Sequence, residues 1–315
     1  MRAIITGGTG MIGSRLANSL AADGHDVIVL SRSPALAKGL SPRVQVEGWD
    51  AKTPKGWGHL VNGADVIVNL AAANLAGDSF FPKRWTAERK KQIIDSRLNT
   101  GSAVVAAIEA AETRPGVVVQ ASAMGYYGTH PNTVEITEDS PAGNDWPAEV
   151  CKQWEASTEA VEKMGVRRVI IRTGLVLSFE EGALARMALP FRLFVGGPFG
   201  SGQQPYSWIH PADAIGAIRF LIKDAAASGP FNLTAPNPLT NAEFARALGR
   251  VMNRPSLIPV PGFAFRMMFG EVATIVVDGQ RVLPKRLLEL GYNFQFTEIE
   301  TALRDLYGRR ELATT

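Results

Sequence analysis

Glycines near the start of the chain have the spacing of a phosphate-binding turn. Gly8, Gly10 and Gly13 match G-x-G-x-x-G, and Gly7 extends the match to G-x-x-G-x-x-G. Residues without a Cβ allow a tight turn and close approach of the backbone to a diphosphate, while the N-terminus of a following helix presents free N–H groups to it. The turn stands between an apolar run and a helical pattern, which favours a dinucleotide site over a flexible turn. The residues predicted to hold the phosphates are Gly7, Thr9, Gly10, Met11, Ile12 and Gly13.

Ser31, Arg32 and Ser33 follow the second apolar run of the chain. An NAD site usually carries an acidic residue in this region, because a carboxylate binds the ribose 2′-hydroxyl. A guanidinium between two hydroxyls instead suits a 2′-phosphate, to which it donates charge-assisted hydrogen bonds. The sequence therefore favours NADP(H) over NAD(H), with a solvated turn arginine as the alternative. Asp50, after the third run, is predicted to accept a hydrogen bond from the adenine amine, or else to be a solvated loop carboxylate.

These residues are positioned by apolar runs that alternate with helical patterns. The runs expected to be strands are residues 2–6, 26–30, 43–47, 64–71, 116–122 and 167–174. The helical patterns between them occupy residues 14–23, 83–112 and 149–164. Near-continuous apolar strands that alternate with helices are typical of a parallel sheet covered on both faces. The predicted fold class is α/β, a Rossmann-type doubly wound parallel sheet with a smaller C-terminal α/β substrate lobe.

In a sheet of this kind, ligands bind outside the carboxyl ends of the strands. Leu70, Ala71 and Ala72 end the fourth run and are predicted to line the cofactor. Ser122 ends the fifth run, and Arg172, near the end of the sixth, is predicted to contact the cofactor as well. Small residues also end strands for purely structural reasons, which is the alternative interpretation.

The composition changes after residue 174 to a region rich in glycine and proline. Its helical patterns are Pro211–Lys223, Asn241–Met252, Gly262–Phe269 and 297–306, and residues 231–235 have the pattern of a short strand. We therefore divide the chain into an NADP(H)-binding domain, residues 1–174, and a C-terminal lobe, residues 175–315, from which some segments are expected to return to the sheet. Pockets favour boundaries between lobes, so this lobe is predicted to close a pocket for a second ligand.

Composition and charge exclude several classes of protein. The chain has 315 residues, 46% of them hydrophobic, and a net charge of +3 without a run of five basic residues, which gives a nucleic-acid role no support. No apolar stretch reaches the ~18 residues of a membrane helix. The single cysteine excludes an internal disulfide, and the opening residues MRAIIT do not have the pattern of a leader, so a cytoplasmic compartment is predicted. No motif predicts a metal site.

Several motifs resemble those of the extended short-chain dehydrogenase/reductases, the NAD-dependent epimerase/dehydratase superfamily. They are TGGTGMIG (6–13), DVIVNLAA (65–72), ASAMGYYG (121–128), the helix around Lys152, and SWIHPADAIGAI (207–218). Other segments resemble one atypical branch, the "epimerase family" proteins related to cell-division and plastid-division inhibitor-like proteins. These segments are EVCKQWE, RTGLVLS, GGPFGSGQQPYSWIH and LPKRLLELGYNFQF. The resemblance covers essentially the whole chain and implies the superfamily fold.

The resemblance also implies roles for individual residues. In the superfamily a tyrosine stands four residues before a lysine, which lowers the pKa of the phenol so that it exchanges a proton with substrate during hydride transfer. The resemblance places Ala148 at the tyrosine position and Ala123 at the usual catalytic serine or threonine, with Ser122 one residue earlier. It assigns Lys152 to the nicotinamide ribose hydroxyls, and a lysine extending from an exposed helix is the alternative. The catalytic candidates are Lys152, Ser122 and Tyr126.

Other side chains are candidates for the missing proton transfer or for contact with a second ligand. Tyr126 follows the fifth strand and Glu149 begins the lysine helix, so either is a candidate to reach the nicotinamide. The residues predicted to contact the second ligand are Tyr127, Trp208 and His210. Packing is the alternative role for each. Cys151 is expected to be a small buried hydrophobic residue, because the sequence supplies no histidine partner for it.

Two classes of function are consistent with these residues. The first is an NADP(H)-dependent oxidoreductase or epimerase that acts on a small polar carbonyl or hydroxyl compound with a displaced acid or base. The second is a non-catalytic NADP(H)-binding module whose redox state alters its interaction with a protein partner. The first requires hydride transfer and the second does not. The sequence is consistent with a monomer or a homodimer in either case.

Overall fold

Strands and helices alternate along most of the chain in the computed structural model, which describes residues 1–77, 79 and 81–314. The strands are β1 (Arg2–Thr6), β2 (Asp26–Ser31), β3 (Val44–Gly48), β4 (Val66–Asn69), β5 (Val117–Ala123), β6 (Glu135–Ile136), β7 (Arg167–Thr173), β8 (Leu175–Val176), β9 (Pro205–Tyr206), β10 (Trp208–Ile209), β11 (Gly229–Leu233), β12 (Leu239–Thr240) and β13 (Arg281–Val282). The α-helices are α1 (Met11–Ala22), α2 (Ala87–Glu109), α3 (Trp146–Ala156), α4 (Ala160–Lys163), α5 (Gly182–Arg192), α6 (Pro211–Lys223), α7 (Asn241–Met252), α8 (Gly262–Phe269), α9 (Thr274–Val277), α10 (Lys285–Glu289) and α11 (Ile299–Thr314). Short 3-10 helices cover Pro34–Leu36, Gly58–Val61, Met124–Tyr127 and Gly270–Ala273.

The largest sheet has seven parallel strands in the order β11-β7-β5-β4-β1-β2-β3. The chain runs from β1 outwards to β3 and then returns to the other side of β1 with β4. The order therefore reverses between β1 and β4, which is the topological switch point where such sheets bind ligands. The predicted fold class is confirmed.

Alternate residues of each central strand enter different cores, which explains the near-continuous apolar runs. In β1, Ile5 packs with Leu16 of α1 and Ile218 of α6, whereas Ile4 packs with Val104 of α2 and Val161 of α4. All of these side chains are fully buried. The sheet is therefore covered on both faces, as a parallel sheet requires.

The six predicted strands are confirmed within two residues at each end. The helices between them differ more: α1 begins three residues earlier than predicted, α2 begins four residues later and ends three earlier, and the third predicted helix is two helices. The pattern at 149–164 is divided into α3 and α4 by a turn at residues 157–159, where the Ser157 hydroxyl donates to the Trp154 carbonyl (2.7 Å). Helix α3 also begins earlier than predicted, since Asp145 Oδ1 caps it by accepting from the Ala148 N–H (2.9 Å). Its first turn therefore contains Pro147, which suits that position.

The short strand predicted in the C-terminal lobe is β11, and it pairs with β7 at the edge of the main sheet. Much of the remaining C-terminal chain packs around a second core, which includes Phe191 of α5, Phe244 and Leu248 of α7, and Leu303 of α11. The helix predicted at 297–306 is the start of α11. Among the described residues, no helix combines the length and the apolar character that crossing a membrane requires.

Candidate functional site

The glycine turn between β1 and α1 brings backbone segments too close together for side chains. Gly7 has φ +65°, and a Cβ on it would lie 2.8 Å from the Ala71 nitrogen. A Cβ on Gly13 would lie 2.3 Å from the Gly7 oxygen. Gly10 is the N-cap of α1, which has neither a side-chain cap nor an acidic residue in its first turn. The first N–H groups of α1 are therefore free of a competing anion, which fits the predicted diphosphate site.

A row of buried polar side chains fixes the strand ends beside this turn. The Thr6 hydroxyl donates to Asn69 Oδ1 (2.7 Å) and accepts from the backbone N–H groups of Leu70 and Ala71 (3.1 Å each). Asn69 in turn donates to Gln120 Oε1 (2.9 Å), which links β4 to β5. The segment that the sequence predicts to line the cofactor, residues 70–72, is thus held against the glycine turn.

The end of β2 leaves a cation free to bind a ligand. Ser31 is buried, and its hydroxyl accepts from the Ser33 N–H (3.2 Å). Arg32 is exposed, and within the described ranges its guanidinium has no ion pair or hydrogen bond. Asp50 is engaged in its own loop, where its carboxylate accepts from the Thr53 hydroxyl (2.7 Å) and from two backbone N–H groups, and these bonds lower its pKa. Arg32 therefore fits a 2′-phosphate, while Asp50 has a structural role that accounts for its position.

A cavity of about 240 Å³ lies at the carboxyl ends of β5 and β7. Ala123 contributes from β5, and Thr173 and Gly174 contribute from the end of β7. Most of the remaining lining is apolar or aromatic and comes from α3, the segment before α2, α5, and the chain around α9. These residues include Leu75, Trp85, Val150, Trp154, Leu175, Met187, Ile275 and Val276. The cavity is thus a largely apolar site, partly open to solvent, at the carboxyl ends of the strands, where ligands bind in this fold class.

Helix α3 presents different residues to this cavity from those that the resemblance implied. Pro147 and Cys151, which are four residues apart, both line the cavity. Lys152 does not line it, because its ammonium lies 2.7 Å from Glu149 Oε2 and its side chain is 41% exposed. Ala148 is fully buried beside the helix cap. The positions facing the cavity at the tyrosine-to-lysine spacing are therefore Pro147 and Cys151, one residue earlier than Ala148 and Lys152.

Burial of the Cys151 thiol raises its pKa to about 11, so the thiol is protonated at neutral pH. The expectation that Cys151 is a small buried residue is confirmed. Its position in the cavity wall was not expected.

Four of the predicted site residues belong to one contact network and do not line the cavity: Ser122, Tyr126, Tyr127 and Arg172. Arg172 binds both carboxylate oxygens of Glu155 (2.9 Å each), and the Ser122 hydroxyl donates to the same carboxylate (2.6 Å). Arg172 also donates to the Tyr127 hydroxyl (3.0 Å) and stacks on Tyr126, 3.4 Å from its ring centre. Burial raises the pKa of Tyr127 to about 12. This arrangement gives Ser122, Tyr127 and Arg172 a structural role in joining β5, β7 and α3.

Trp208 and His210 lie apart from the cavity as well. Trp208 is fully buried in the second core. His210 caps α6, since its Nδ1 accepts from the Ala212 N–H (3.1 Å), and its ring stacks on Phe296 at 3.8 Å. Its Nε2 lies 3.2 Å from Asp305 Oδ2, and burial lowers its pKa to about 4. The residues immediately before Trp208, at 205–207, do line the cavity.

Sequence reasoning missed Arg97, which lines the cavity from α2. A signal for it was available. Arg97 follows Ile93 by four residues and precedes Val104 by seven, so helical spacing puts it on the buried face of α2. A charged residue at a core position of an amphipathic helix needs either a partner or a ligand.

Known proteins resemble this chain along nearly its whole length. The profile of the NAD dependent epimerase/dehydratase family matches residues 3–234, and that of a domain of unknown function, DUF1731, matches residues 260–306. The "epimerase family protein SDR39U1 homolog, chloroplastic" of Arabidopsis thaliana is 42% identical over 306 residues, covering 96% of this chain and 86% of its own length. The "epimerase family protein SAR0825" of Staphylococcus aureus is 39% identical over 309 residues, covering 97% and 99%.

A solved structure agrees with these relatives. The crystal structure of the human epimerase family protein SDR39U1 (isoform 2) with NADPH superposes with a TM-score of 0.85 at 33% identity, covering 98% of this chain and 99% of that one. The resemblance found in the motifs is confirmed by sequence and by fold. The chain belongs to the NAD-dependent epimerase/dehydratase family, among the proteins that resemble SDR39U1.

Proposed function

We propose that this protein binds NADP(H) along the glycine turn and transfers hydride between it and a small molecule held in the cavity. The observation that carries this proposal is the position of the cavity, which adjoins the carboxyl ends of β5 and β7 and has Ala123 and Gly174 in its wall. In this fold class the reactive end of the dinucleotide is expected at that edge. The human relative with NADPH supports the choice of cofactor, as does the free guanidinium of Arg32.

The residues that would hold the cofactor follow from the geometry. The free N–H groups at the start of α1 suit the diphosphate, and Arg32 suits the 2′-phosphate. When bound, NADP(H) supplies or accepts the hydride. We propose that residues 1–174 provide these contacts and that residues 175–315, apart from β11, close the second-ligand cavity. We also propose a cytoplasmic location from the single cysteine, although one relative is named as chloroplastic.

The proton chemistry of the cavity differs from that of a tyrosine-lysine pair. The cavity-lining positions nearest to the superfamily's serine, tyrosine and lysine are Ala123, Pro147 and Cys151. Of these three, only Cys151 carries an exchangeable proton, and at neutral pH its thiol is protonated and able to donate it. Hydroxyls elsewhere in the wall, including those of Thr173, Tyr206 and Ser207, are further proton carriers.

Isotope transfer tests this proposal directly. The protein is incubated with NADPH dideuterated at the nicotinamide C4 and with a metabolite extract, and deuterium is followed by mass spectrometry. We expect deuterium to appear in a specific small molecule. The control is Gly10→Asp, which places a carboxylate where the diphosphate would lie. Label that stays on bound NADPH throughout, with no deuterated metabolite, contradicts hydride transfer.

A second candidate is a non-catalytic NADP(H)-binding module that senses redox state through a protein partner. It is favoured by Ala123 and Pro147, since neither side chain can transfer a proton. In this case NADPH and NADP⁺ are expected to give different affinities for the partner in a pull-down titration. Equal affinities count against the sensor, whereas deuterium transfer would make it unnecessary.

A further inference from the structure

Arg97 is a buried cation whose surroundings do not neutralise it. Arg97 lies on the buried face of α2, and the residue is 5% exposed. Its Nη1 donates to the backbone carbonyls of Ala73 (3.2 Å) and Ile93 (2.9 Å), but its Nε has no hydrogen-bond partner. Within the described ranges no carboxylate forms an ion pair with it. Burial lowers its pKa to about 10, so it still carries its charge at neutral pH.

Arg172 is another buried arginine of the same molecule, and it does have a carboxylate partner. Arg172 is similarly buried, at 4% exposure, and is paired through two hydrogen bonds with Glu155. A buried guanidinium without such a partner is unfavourable for folding. Because no carboxylate of the described residues pairs with Arg97 at this cavity wall, the missing anion is expected to come from outside the protein.

A second unpaired donor lies beside Arg97. The indole Nε1 of Trp154 is buried without a partner, and the Arg97 guanidinium stacks on the Trp154 ring at 4.6 Å from its centre. Both residues line the same cavity. The contact with the ring holds the guanidinium at the cavity wall, and a planar fork of N–H groups matches a carboxylate.

The acidic side chains in the cavity wall are already engaged and cannot supply this anion. Asp145 caps α3 through the Ala148 N–H. Asp278 pairs with Arg266 through both carboxylate oxygens (2.7 and 2.8 Å) and accepts from the Thr274 hydroxyl (2.6 Å). Arg97 Nε and Trp154 Nε1 therefore stay without a partner within the described ranges.

We infer that Arg97 and the Trp154 indole form the anion-binding end of the cavity, and that the second ligand is a small carboxylic acid with an apolar body. This inference rests on the proposed function, because it names the class of the molecule that accompanies NADP(H). The apolar body follows from the lining, which includes Leu75, Val150 and Ile275. The small size follows from the volume of about 240 Å³, which is less than the ~300–1,000 Å³ of pockets for drug-sized ligands. A nucleotide sugar does not suit such a site.

The test is a comparison of acids with their uncharged counterparts. Benzoate, phenylacetate, hexanoate and octanoate are titrated by calorimetry into the NADPH-loaded protein, each beside its primary amide. We expect at least one acid to bind at least tenfold more tightly than its amide. Equal binding of every acid and amide, or no binding by any acid, overturns the inference. Inorganic phosphate that binds more tightly than every acid also overturns it, since the site would then be built for a tetrahedral anion.

Variants connect the preference to the two donors. Arg97→Met keeps an unbranched side chain but removes the guanidinium and its charge, so we expect it to abolish the preference for acids while NADPH affinity stays unchanged and the melting temperature of the ligand-free protein rises. Arg97→Lys is expected to retain part of the preference, and Trp154→Phe to weaken acid binding several-fold while keeping the stacked ring. A preference that persists in Arg97→Met contradicts the assignment. If Arg97→Met does not fold, Arg97→Lys and Trp154→Phe decide, and unchanged acid binding in both overturns the inference.

The two proposals fail in different ways. If NADPH does not bind to the wild-type protein, the cofactor proposal fails, and the same titrations on the ligand-free protein still decide whether Arg97 selects acids. If NADPH binds and no acid is preferred over its amide, only the present inference fails.

Discussion

Gly10 has the backbone of an ordinary helix N-cap, with φ −86° and ψ 175°, so its lack of a side chain is not a requirement of the turn. A Cβ there would meet only the Gly7 oxygen, at 3.4 Å, which is normal contact. Aspartate and asparagine are both favoured at an N-cap, where either is more stable than glycine by a few tenths of a kcal/mol. The absence of a side chain at Gly10 is therefore better explained by a bound diphosphate than by folding.

Gly10→Asp is accordingly expected to leave the melting temperature of the ligand-free protein unchanged or slightly higher, while weakening NADPH binding at least ~tenfold, or ~1.4 kcal/mol. Gly10→Asn, which has the same size without the charge, is the matched control and should weaken NADPH binding less. Thermal melts and fluorescence titrations measure the two effects. Unchanged NADPH binding in Gly10→Asp would mean that the cofactor phosphates lie elsewhere.

Arg32 tests the choice between the two dinucleotides. We expect Arg32→Glu to weaken NADPH binding ~10–100-fold, because a charge-assisted hydrogen bond to the 2′-phosphate is replaced by repulsion, and to leave NADH binding nearly unchanged. The control is Arg43→Glu, an equal change of charge at an exposed residue just before β3, which lies at the amino ends of the strands, whereas Arg32 lies at their carboxyl ends. Titration with both cofactors gives the result. Equal weakening of NADPH and NADH by Arg32→Glu would remove the basis for NADP(H).

At the level of single residues, the sequence predicts the cofactor turn better than the cavity. The glycine turn and the end of β2 are local features, so spacing alone identifies them. The face that α3 presents depends on helical phase, which turns by about 100° per residue, so an error of one residue exchanges Cys151 for Lys152. The Asp145 cap and Pro147 fix that phase, and they would have been the sequence signal for it.

Helix α3 carries two ion pairs in opposite environments. Glu155 faces inwards, is 8% exposed, and accepts from Arg172 and Ser122. Glu149 faces outwards and pairs with Lys152 at the surface. Only the inner pair joins α3 to the strand ends of β5 and β7.

Removal of these two carboxylates is expected to have different consequences. Glu155→Ala leaves the Arg172 charge buried without its partner, which should lower the free energy of unfolding by about 3–5 kcal/mol. Glu149→Ala, the same substitution at an exposed pair, should change it little. Urea unfolding of both variants measures the difference. Similar stabilities would show that the inner pair is not what joins α3 to the sheet.

Among the elements, those with regular periodicity were predictable and those that depend on tertiary pairing were not. The strands of the main sheet follow apolar runs because both of their faces are buried. The two-residue strands β6, β8, β9, β10, β12 and β13 pair only with distant segments, as β13 does with β6, and have no periodic signal of their own. The division between α3 and α4 is likewise a turn at residues 157–159 that no glycine or proline signals in the sequence.

For the whole molecule, the C-terminal chain is tied to the nucleotide-binding half by long-range contacts. Strand β11 extends the main sheet, and Arg286 after β13 donates to the Pro230 and Ser228 carbonyls beside it. His210 joins α6, which covers the main sheet, to Phe296 and to Asp305 of α11. Loss of the contact between His210 and α11 should therefore lower the free energy of unfolding of the whole protein. The pH dependence of that free energy makes the contribution of His210 measurable.

His210 is buried, and burial lowers its pKa to about 4, whereas an unfolded histidine has a pKa of about 6.5. The unfolded chain therefore takes up a proton below about pH 6.5 while the folded protein does not, so the stability from His210 is complete above that pH and is lost as the pH falls towards 4. At pH 5 the loss is about 2 kcal/mol.

His210→Asn keeps a capping side chain for α6 but removes the imidazole, so its stability relative to wild type should improve by about that amount between pH 7 and pH 5. Urea unfolding at both values measures this, with His59→Asn, at an exposed position, as the control for loss of an imidazole. If the difference in free energy of unfolding between His210→Asn and wild type is the same at pH 7 and pH 5, His210 takes up protons in the folded protein as it does in the unfolded chain. It would then not be buried in the contact between α6 and α11.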